Sequence, residues 1–193
     1  MITEMSSFTG DIGICHKAIS GQTARSALVH LRKIPDSSWA NEGGRSKGRS
    51  RLEYGGADEG SCVRKIPPGL IALGKEAIES ARVKIPNAAW ENFEIGALVV
   101  NKYPKRKGLA KHKDSSKWKP LVLCVTICED VFGPVSSMRF DGTLNNHERV
   151  NLPTPHRSAY VFHDRAYHEA THARNLGSVQ QTGMIYSLTF RSE

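Results

Sequence analysis

Two stretches of the chain place apolar residues at the three- and four-residue spacing of an amphipathic helix. The first, residues 23–33, begins at a capping Thr23 and ends before Pro35. The second, residues 68–83, starts at Pro68, a residue that suits the first helical turn. The apolar faces consist of Ala24, Ala27, Leu28 and Leu31 in the first helix and of Leu70, Ile71, Leu73, Ala77, Ile78 and Ala81 in the second.

From residue 92 onward the pattern changes to short β-rich runs separated by turn residues. These runs are 97–103, 121–128, 135–140, 148–152, 158–163 and 184–191. Runs of this kind predict a sandwich or a double-sheet jelly roll. We expect one α+β domain over residues 1–193, in which 1–91 supply helices and a substrate lid. Residues 92–193 would form the core, a double-stranded β-helix (jelly roll) with the N-terminal helices packed outside one sheet.

Residues 41–60, between the two predicted helices, have many glycines and little periodicity. Such a segment is typical of a mobile loop or of a pair of hairpins. It could be a plain linker or a lid over a functional site, and the pattern favours neither.

The balance of charge gives the first indication of a partner. The 193 residues contain 27 Lys and Arg against 19 Asp and Glu, which is a formal net charge of +8. A basic surface attracts polyanions, and phosphate contacts dominate the affinity of proteins for nucleic acid. Nucleic acid is therefore a candidate partner.

Cysteine spacing and hydropathy bear on the compartment. No C-x-x-C pair or zinc-ligand spacing occurs among the four cysteines, so we expect reduced, mostly buried thiols at Cys15, Cys62, Cys124 and Cys128. Residues 1–20 lack the pattern of a secretory signal, and the longest apolar run, 121–128, is too short to cross a bilayer. We expect a soluble intracellular protein, cytoplasmic or nuclear, with no membrane partner.

Candidate chemistry is concentrated at an H-x-D triplet, His112-Lys113-Asp114, and at a downstream stretch with His163, His168 and His172. Two imidazoles and one carboxylate on one face of a metal leave the opposite coordination positions open, as in non-heme ferrous oxygenases. The triplet alone is a weak signal, since a chain with 8 histidines often places an aspartate near one. The triplet alone favours an exposed loop residue among lysines as the interpretation of His112.

Motifs on both sides of the triplet strengthen the metal interpretation. Upstream stand Asn101-Lys102-Tyr103-Pro104 and Gly108, and the chain ends in Ser187-Leu188-Thr189-Phe190-Arg191. In this order the motifs resemble the AlkB family of iron and 2-oxoglutarate dioxygenases. Arg51-Leu52-Glu53-Tyr54-Gly55 resembles the family's lid segment, shortened and without its proline, and residues 119–123 and 138–140 resemble strands that follow its metal loop. The resemblance covers roughly residues 50–191.

The resemblance implies Fe(II) and 2-oxoglutarate as cofactors. Carried over residue by residue, it implies that His112, Asp114 and His172 bind the iron. His172 is preferred because its distance along the chain from the predicted strand and from the terminal motif fits the family better. His168 is the alternative, and His163, at or near the end of a strand, is a more remote one.

The same resemblance implies a binding site for the co-substrate. Asn101 and Tyr103 would contact the 2-oxoglutarate. Arg191 would hold one of its carboxylates, because a guanidinium can make a bidentate, charge-assisted pair.

One departure from the family pattern concerns the second carboxylate. The family's last strand reads R-x-N-x-x-x-R, and this chain has Ile185 at the first arginine position and Ser187 at the asparagine position. Loss of a charged partner would cost the bound co-substrate on the order of 2–3 kcal/mol unless another cation replaces it. Arg157 and Arg174 are candidates for that replacement.

The resemblance and the local charge both favour nucleic acid as the substrate, with oxidative demethylation of N-alkylated bases as the reaction. Basic residues surround the metal motif at Lys102, Lys105, Arg106, Lys107, Lys111, Lys113, Lys117 and Lys119, and follow the lid at Arg45, Lys47, Arg49 and Arg51. Such a mouth would hold phosphates, and we expect Arg51 to contact the substrate. Tyr54 or Trp118 could stack on an extruded base.

Two alternatives stay open. The first is an oxidase of a base C-methyl group, 5-methylcytosine or thymine, like the TET and JBP proteins, whose H-x-D triplet and terminal strand are similar. The second is a basic nucleic-acid-binding module whose metal site is vestigial, which Ile185 suggests. Formaldehyde release would indicate demethylation, and salt-dependent binding without turnover would indicate the module. DNA, RNA and protein all remain candidate substrates, and the sequence defines no oligomeric state.

Overall fold

A computed structural model describes residues 8–41, 49–56, 64–86, 88–104, 108–114, 118–130, 136–142, 149–175 and 183–192. The helices are α1 (Gly21–Arg32), α2 (Pro68–Lys84) and α3 (Asp164–His168), with short 3-10 turns at Phe8–Asp11, Asp36–Ser38 and Trp90–Asn92. The strands are β1 (Ile12–Cys15), β2 (Ala40–Asn41), β3 (Ser50–Gly55), β4 (Ala97–Tyr103), β5 (Leu109–His112), β6 (Leu121–Cys128), β7 (Ser136–Asp141), β8 (Arg149–Thr154), β9 (Ala159–His163), β10 (Thr171–Asn175) and β11 (Ile185–Arg191).

The described strands form two antiparallel sheets. The major sheet has seven strands in the order β1-β9-β6-β11-β4-β3-β2, and the minor sheet has four in the order β5-β10-β7-β8. Apolar side chains from both sheets pack together between them, among them Val122 and Tyr160 of the major sheet and Phe140 and Leu152 of the minor one. The predicted jelly roll is confirmed.

Alternation along the central strands separates two environments. On β11, Tyr186, Leu188 and Phe190 enter the core beneath the helices, whereas Ser187 and Arg191 face the space between the sheets. β4 alternates in the same way, with Leu98 and Val100 in that core and Asn101 and Tyr103 in the inter-sheet space. Because a strand turns successive side chains to opposite faces, one short segment can build the core and the pocket together.

Both long helices pack on the outer face of the major sheet, as predicted. Leu31 of α1 and Leu73 and Ala77 of α2 share a core with the outward side chains of β4, β6 and β11. At Gly74 an added Cβ would lie 2.7 Å from Phe190 of β11, so only glycine lets α2 approach this strand so closely. None of the helices in the described part of the chain is long and apolar enough to span a membrane.

The predicted helix boundaries hold with one correction. α2 begins at Pro68, as expected. α1 begins earlier than predicted, because Ser20 is its N-cap: the Ser20 hydroxyl accepts a hydrogen bond from the Thr23 backbone N–H at 3.1 Å. Thr23 therefore lies in the first turn and is not the cap.

The segment expected to be a loop or a pair of hairpins contains a sheet strand. β3 pairs with β4 along its whole length and with the short β2 on its other side. Residues 42–48 and 57–63 lie outside the described residues, so the lid interpretation of those parts stays a prediction. The single-domain division into 1–91 and 92–193 also stays a prediction, although β1 and β3 of the first part pair with strands of the second.

Candidate metal centre

The H-x-D triplet lies where β5 ends, and the distal histidine lies on the neighbouring strand. His112 is the last residue of β5 and is the cross-strand partner of His172 on β10. Asp114 follows the end of β5, and ligand atoms of all three side chains lie within 4.8 Å of one another. The alternative ligand His168 is exposed on α3 and does not belong to this group.

The spacing of the three side chains suits a shared ion. His112 Nε2 and His172 Nε2 each lie 3.8 Å from Asp114 Oδ1, and the two imidazole centroids are 4.3 Å apart. Two atoms that share an ion at about 2.1 Å can be at most about 4.2 Å apart, so 3.8 Å is within reach of one ion. It is too long for a direct hydrogen bond. Two imidazoles and one carboxylate fit a ferrous ion and leave its other coordination positions open.

The His112 ring is oriented by the backbone of its own strand. His112 Nδ1 lies 2.9 Å from the carbonyl oxygen of Ala110. Because a carbonyl can only accept, this contact places the proton on Nδ1 and leaves the lone pair of Nε2 directed toward Asp114.

The His172 ring is held in an aromatic environment between the sheets. Its centroid lies 5.7 Å from that of Phe140 and 5.1 Å from that of Phe162, and the residue is 5% exposed. Burial is the main cause that lowers the pKa of His172 to about 4; the charge of Asp114 opposes the shift, and the charges of His112 and Arg191 add to it. The imidazole is therefore neutral near pH 7, as a metal ligand must be.

Asp114 is paired with the last arginine of the terminal strand. Arg191 Nη2 lies 2.8 Å from Asp114 Oδ1, and both side chains are less than a tenth exposed. Burial alone would raise the pKa of Asp114, but Arg191 and the two histidines outweigh it and lower that pKa. Asp114 Oδ2 and Arg191 Nε and Nη1 are buried and have no partner in the structure. Asp114 Oδ2 is therefore available to bind a metal ion, and Nε and Nη1 of Arg191 are available to bind an anion.

The three candidate ligands open into a cavity of about 460 Å³ between the sheets. All the co-substrate and substrate residues predicted from the sequence line it, namely Asn101, Tyr103, Arg191, Arg51, Tyr54 and Trp118. The structure therefore brings the whole predicted set together in one cavity, while the role of each residue stays a prediction.

The candidate co-substrate residues are deeply placed. Asn101 is 6% exposed, and its Oδ1 is buried without a partner. Tyr103 is 1% exposed, and burial raises the pKa of its phenol, so the hydroxyl stays protonated and can donate.

The candidate substrate residues differ in how much of their surface a ligand could reach. Arg51 forms an ion pair with Glu53 on the cavity side of β3. Trp118 is partly exposed, and Arg191 Cζ lies 5.9 Å from the centre of its ring. Tyr54 packs into the core beneath the helices and is only 8% exposed. Trp118 therefore offers more ring surface to a base than Tyr54 does.

Two buried arginines lie near the cavity: Arg49, predicted only as a basic residue along the lid, and Arg174, predicted as a candidate replacement for the missing cation. Arg49 lines the cavity at 7% exposure, and Arg174 lies behind its wall at 2% exposure. A signal for Arg174 was present in the sequence, because it stands two residues after His172 and so shares its face on an extended strand. The other candidate replacement, Arg157, donates instead to the carbonyl oxygen of Ile19 beside α1.

The predicted basic cluster is only partly at the mouth. Lys113 lines the cavity, whereas Lys102 pairs with Asp36 and Lys111 pairs with Asp141 away from it. Lys119 is exposed and does not line the cavity, and the predicted members Lys105, Arg106, Lys107, Lys117, Arg45 and Lys47 lie outside the described residues.

His163, the most remote of the alternative ligands, belongs to a different group. It lies with Asp11 and Asp164, and its Nδ1 is 2.8 Å from Asp164 Oδ2. The Asp164 side chain is 60% exposed, whereas His163 is buried, and the Asp11 carboxylate accepts the backbone N–H of Arg165, so this group is a contact between a histidine and neighbouring carboxylates at the start of α3.

Fold and site together define a double-stranded β-helix protein with a His-Asp-His cluster inside the roll. No family model matches the sequence, and no curated protein matches it. Solved structures do match the fold. That of OsALKBH1 has a TM-score of 0.70 at 16% identity and covers 94% of this chain and 98% of its own. That of a Pseudomonas putida prolyl-4-hydroxylase has a TM-score of 0.61 at 10% identity and covers 96% of this chain and 94% of its own.

Proposed function

We propose that this chain is an iron(II)- and 2-oxoglutarate-dependent dioxygenase that oxidatively demethylates N-alkylated bases in nucleic acid. The observation that carries the proposal is the meeting of His112, Asp114 and His172 in one cavity, with buried Arg191 beside the carboxylate. The likeness in fold to OsALKBH1 and to a prolyl-4-hydroxylase, both dioxygenases of this class, supports the same chemistry here.

The protein's part in this chemistry is to bind, orient and exclude water. A ferrous ion with a bound keto acid supplies oxygen activation. His112 and His172 would hold the ion with rings already oriented by the Ala110 carbonyl and by Phe140, so little reorganisation is needed on binding. The aromatic side chains around His172 also keep water from that side of the site.

Arg191 would hold the keto acid close to Asp114. One of its nitrogens holds Asp114, and Nε and Nη1 are buried without partners, so the same guanidinium can bind an added carboxylate. Asn101 and the terminal strand form the adjacent wall. Arg191 would thus fix the Asp114 carboxylate and a carboxylate of the keto acid relative to each other.

A base in nucleic acid suits the open side of the cavity. Arg51 and Lys113 line it with basic groups that attract phosphates, and partly exposed Trp118 offers a ring on which an extruded base can stack. Hydroxylation of an N-methyl carbon gives an unstable aminol that breaks down to the free base nitrogen and formaldehyde. The net result is demethylation.

A peptide is the competing substrate class, because one of the fold relatives is a prolyl-4-hydroxylase. The net charge of +8 and the basic lining of the cavity favour a polyanion over a peptide. Oxidation of a base C-methyl group would use the same site but would stop at a stable alcohol.

An anaerobic titration with ferrous iron and 2-oxoglutarate tests the class of enzyme. We expect a weak visible charge-transfer band, which appears only when the keto acid chelates the metal. The band should be absent in His112→Ala and present in His168→Ala, a matched control for an exposed histidine on α3. Iron binding without a band in the wild type, or a band that survives in His112→Ala, would contradict the proposal.

A product assay then tests the substrate. N-methylated oligonucleotides, 5-methylcytosine oligonucleotides and proline-containing peptides are each incubated with the iron-loaded protein, 2-oxoglutarate and oxygen. We expect formaldehyde only from the first. A hydroxymethylated base without formaldehyde would indicate a C-methyl oxidase, and hydroxyproline would indicate a peptide hydroxylase.

A further inference from the structure

Arg174 is a buried cation whose hydrogen-bond partners among the described residues are all neutral. It is 2% exposed, and its Nη2 donates to Ser136 Oγ at 2.6 Å and lies 3.4 Å from the hydroxyls of Thr126 and Thr154. Its Nε and Nη1 have no partner in the structure, and no carboxylate of the described residues forms an ion pair with it. A buried charge without a counter-charge is unfavourable, so this environment indicates a missing anion.

Arg174 lies directly behind the wall of the cavity into which the candidate metal ligands open. It follows His172 by two residues on β10 and therefore faces the same inter-sheet space. Its cross-strand partners Leu109 and Met138 both line the cavity. Its guanidinium lies over the ring of Tyr103, another lining residue, with Cζ 5.1 Å from the ring centre.

A second arginine contacts Tyr103. Arg49, buried and lining the cavity, is hydrogen-bonded to the Tyr103 side chain. The strand neighbour of Tyr103 is Ile185, which stands where the AlkB pattern has an arginine. β11 thus lacks an arginine beside Tyr103, but Arg49 and Arg174 bring two positive charges to the same tyrosine from other parts of the chain.

We propose that Arg174, with Arg49 and Tyr103, forms an anion subsite that takes the second carboxylate of a dicarboxylic keto acid. The inference rests on the proposed function, since it assigns the far end of that co-substrate. Alternate residues on a strand are about 6.6 Å apart. The carboxyl carbons of an extended five-carbon diacid are roughly 5 Å apart, given C–C bonds of about 1.5 Å. A diacid that chelates an ion held by His172 can therefore reach Arg174.

The test compares two keto acids that differ only at the far end. Anaerobic titrations of the iron-loaded protein are followed by the charge-transfer band, with 2-oxoglutarate and with 2-oxopentanoate, which has a methyl group in place of the second carboxylate. The wild type should prefer 2-oxoglutarate by about 10- to 100-fold. Arg174→Met should lose most of that preference without weakening 2-oxopentanoate, and Arg139→Met, which removes a β7 arginine outside the cavity, should keep it.

A rescue variant guards against a change of fold. In Arg174→Met/Ile185→Arg the cation returns on the neighbouring strand, and the preference for 2-oxoglutarate should return with it. An Arg174→Met protein that keeps the full wild-type preference, or a folded double variant that lacks it, overturns the subsite. If wild-type protein binds iron but neither keto acid produces a band, the proposed function itself has failed. A band of equal strength with both acids in the wild type overturns only the subsite.

Discussion

Removal of the Asp114 carboxylate should cost the metal-free protein much more stability than removal of the His112 imidazole, although either change would abolish the proposed iron site. Asp114 and Arg191 are joined at 2.8 Å, and their side chains are 8% and 9% exposed. The His112 side chain is 37% exposed, and its hydrogen bond is to the Ala110 carbonyl. Removal of the Asp114 carboxylate therefore leaves a buried guanidinium without its anion, whereas removal of the His112 imidazole leaves only a partly exposed carbonyl.

The size of the difference follows from this geometry. Two unit charges at 2.8 Å attract by about 6 kcal/mol at an effective dielectric constant of about 20, and desolvation of both groups offsets part of that attraction. Asp114→Ala leaves the Arg191 guanidinium buried without its anion, which should cost about 3–5 kcal/mol. His112→Ala removes a half-exposed hydrogen bond and some ring contact, about 1 kcal/mol. We expect a gap of about 2–4 kcal/mol between the variants.

Urea denaturation of chelator-treated protein measures this gap, with the free energy of unfolding obtained by linear extrapolation. The matched control is Asp114→Ala/Arg191→Met, which removes the stranded cation as well and should be more stable than Asp114→Ala alone. Equal destabilisation by Asp114→Ala and His112→Ala would refute the reasoning. The single variant Arg191→Met completes the comparison. If the double variant loses as much free energy of unfolding as Asp114→Ala and Arg191→Met lose in sum, Asp114 and Arg191 are not coupled.

Three further predictions follow from the described contacts. His172→Ala should abolish iron binding in equilibrium dialysis while His168→Ala leaves it intact, and the opposite order would assign the wrong distal ligand. Asp141 is buried, which favours the neutral acid, but hydrogen bonds from Arg149 and others prevail and lower its pKa. A lowered folded-state pKa stabilises the fold above the unfolded-state value of about 4. Asp141→Asn should therefore cost about 1 kcal/mol at neutral pH, and in urea denaturation its gap to wild type should shrink as the pH falls below about 4 and close below the lowered folded-state pKa; a gap that does not shrink over this range contradicts this. Arg51→Gln should reduce the slope of log affinity for an oligonucleotide against log salt by about one, and an unchanged slope would place the phosphates elsewhere.

The strands that build the core could be predicted from the sequence, because burial leaves a strong pattern. β4 and β6 have the predicted bounds. β6 is a continuous apolar run because the helices cover one face and the minor sheet the other, and all of its residues are buried. α2 has its predicted start because Pro68 suits a first turn.

The two strands that carry the candidate histidine ligands, β5 and β10, could not be predicted from the sequence, for the opposite reason. β5 and β10 turn His112, His172 and Arg174 toward the inter-sheet space, so their inward positions hold polar side chains where a core strand has apolar ones. No period-two hydrophobic signal remains in such short segments. β3 was obscured in the same way, since its cavity side carries Arg51 and Glu53. Polar functional side chains at inward positions therefore remove the hydrophobic alternation from which a strand is predicted.

The charges around the cavity indicate how the proposed ligands would share it. Among the described residues, the two carboxylates that line it are engaged, Glu53 with Arg51 and Asp114 with Arg191. Arg49, Lys113 and, behind the wall, Arg174 add positive charge, and a divalent ion would add more. A dicarboxylate inside the cavity would neutralise its deep part, and the groups at the mouth would still attract phosphates. Iron and keto acid should therefore strengthen each other's binding by more than chelation alone. Added salt should weaken the binding of the oligonucleotide far more than the binding of the buried keto acid.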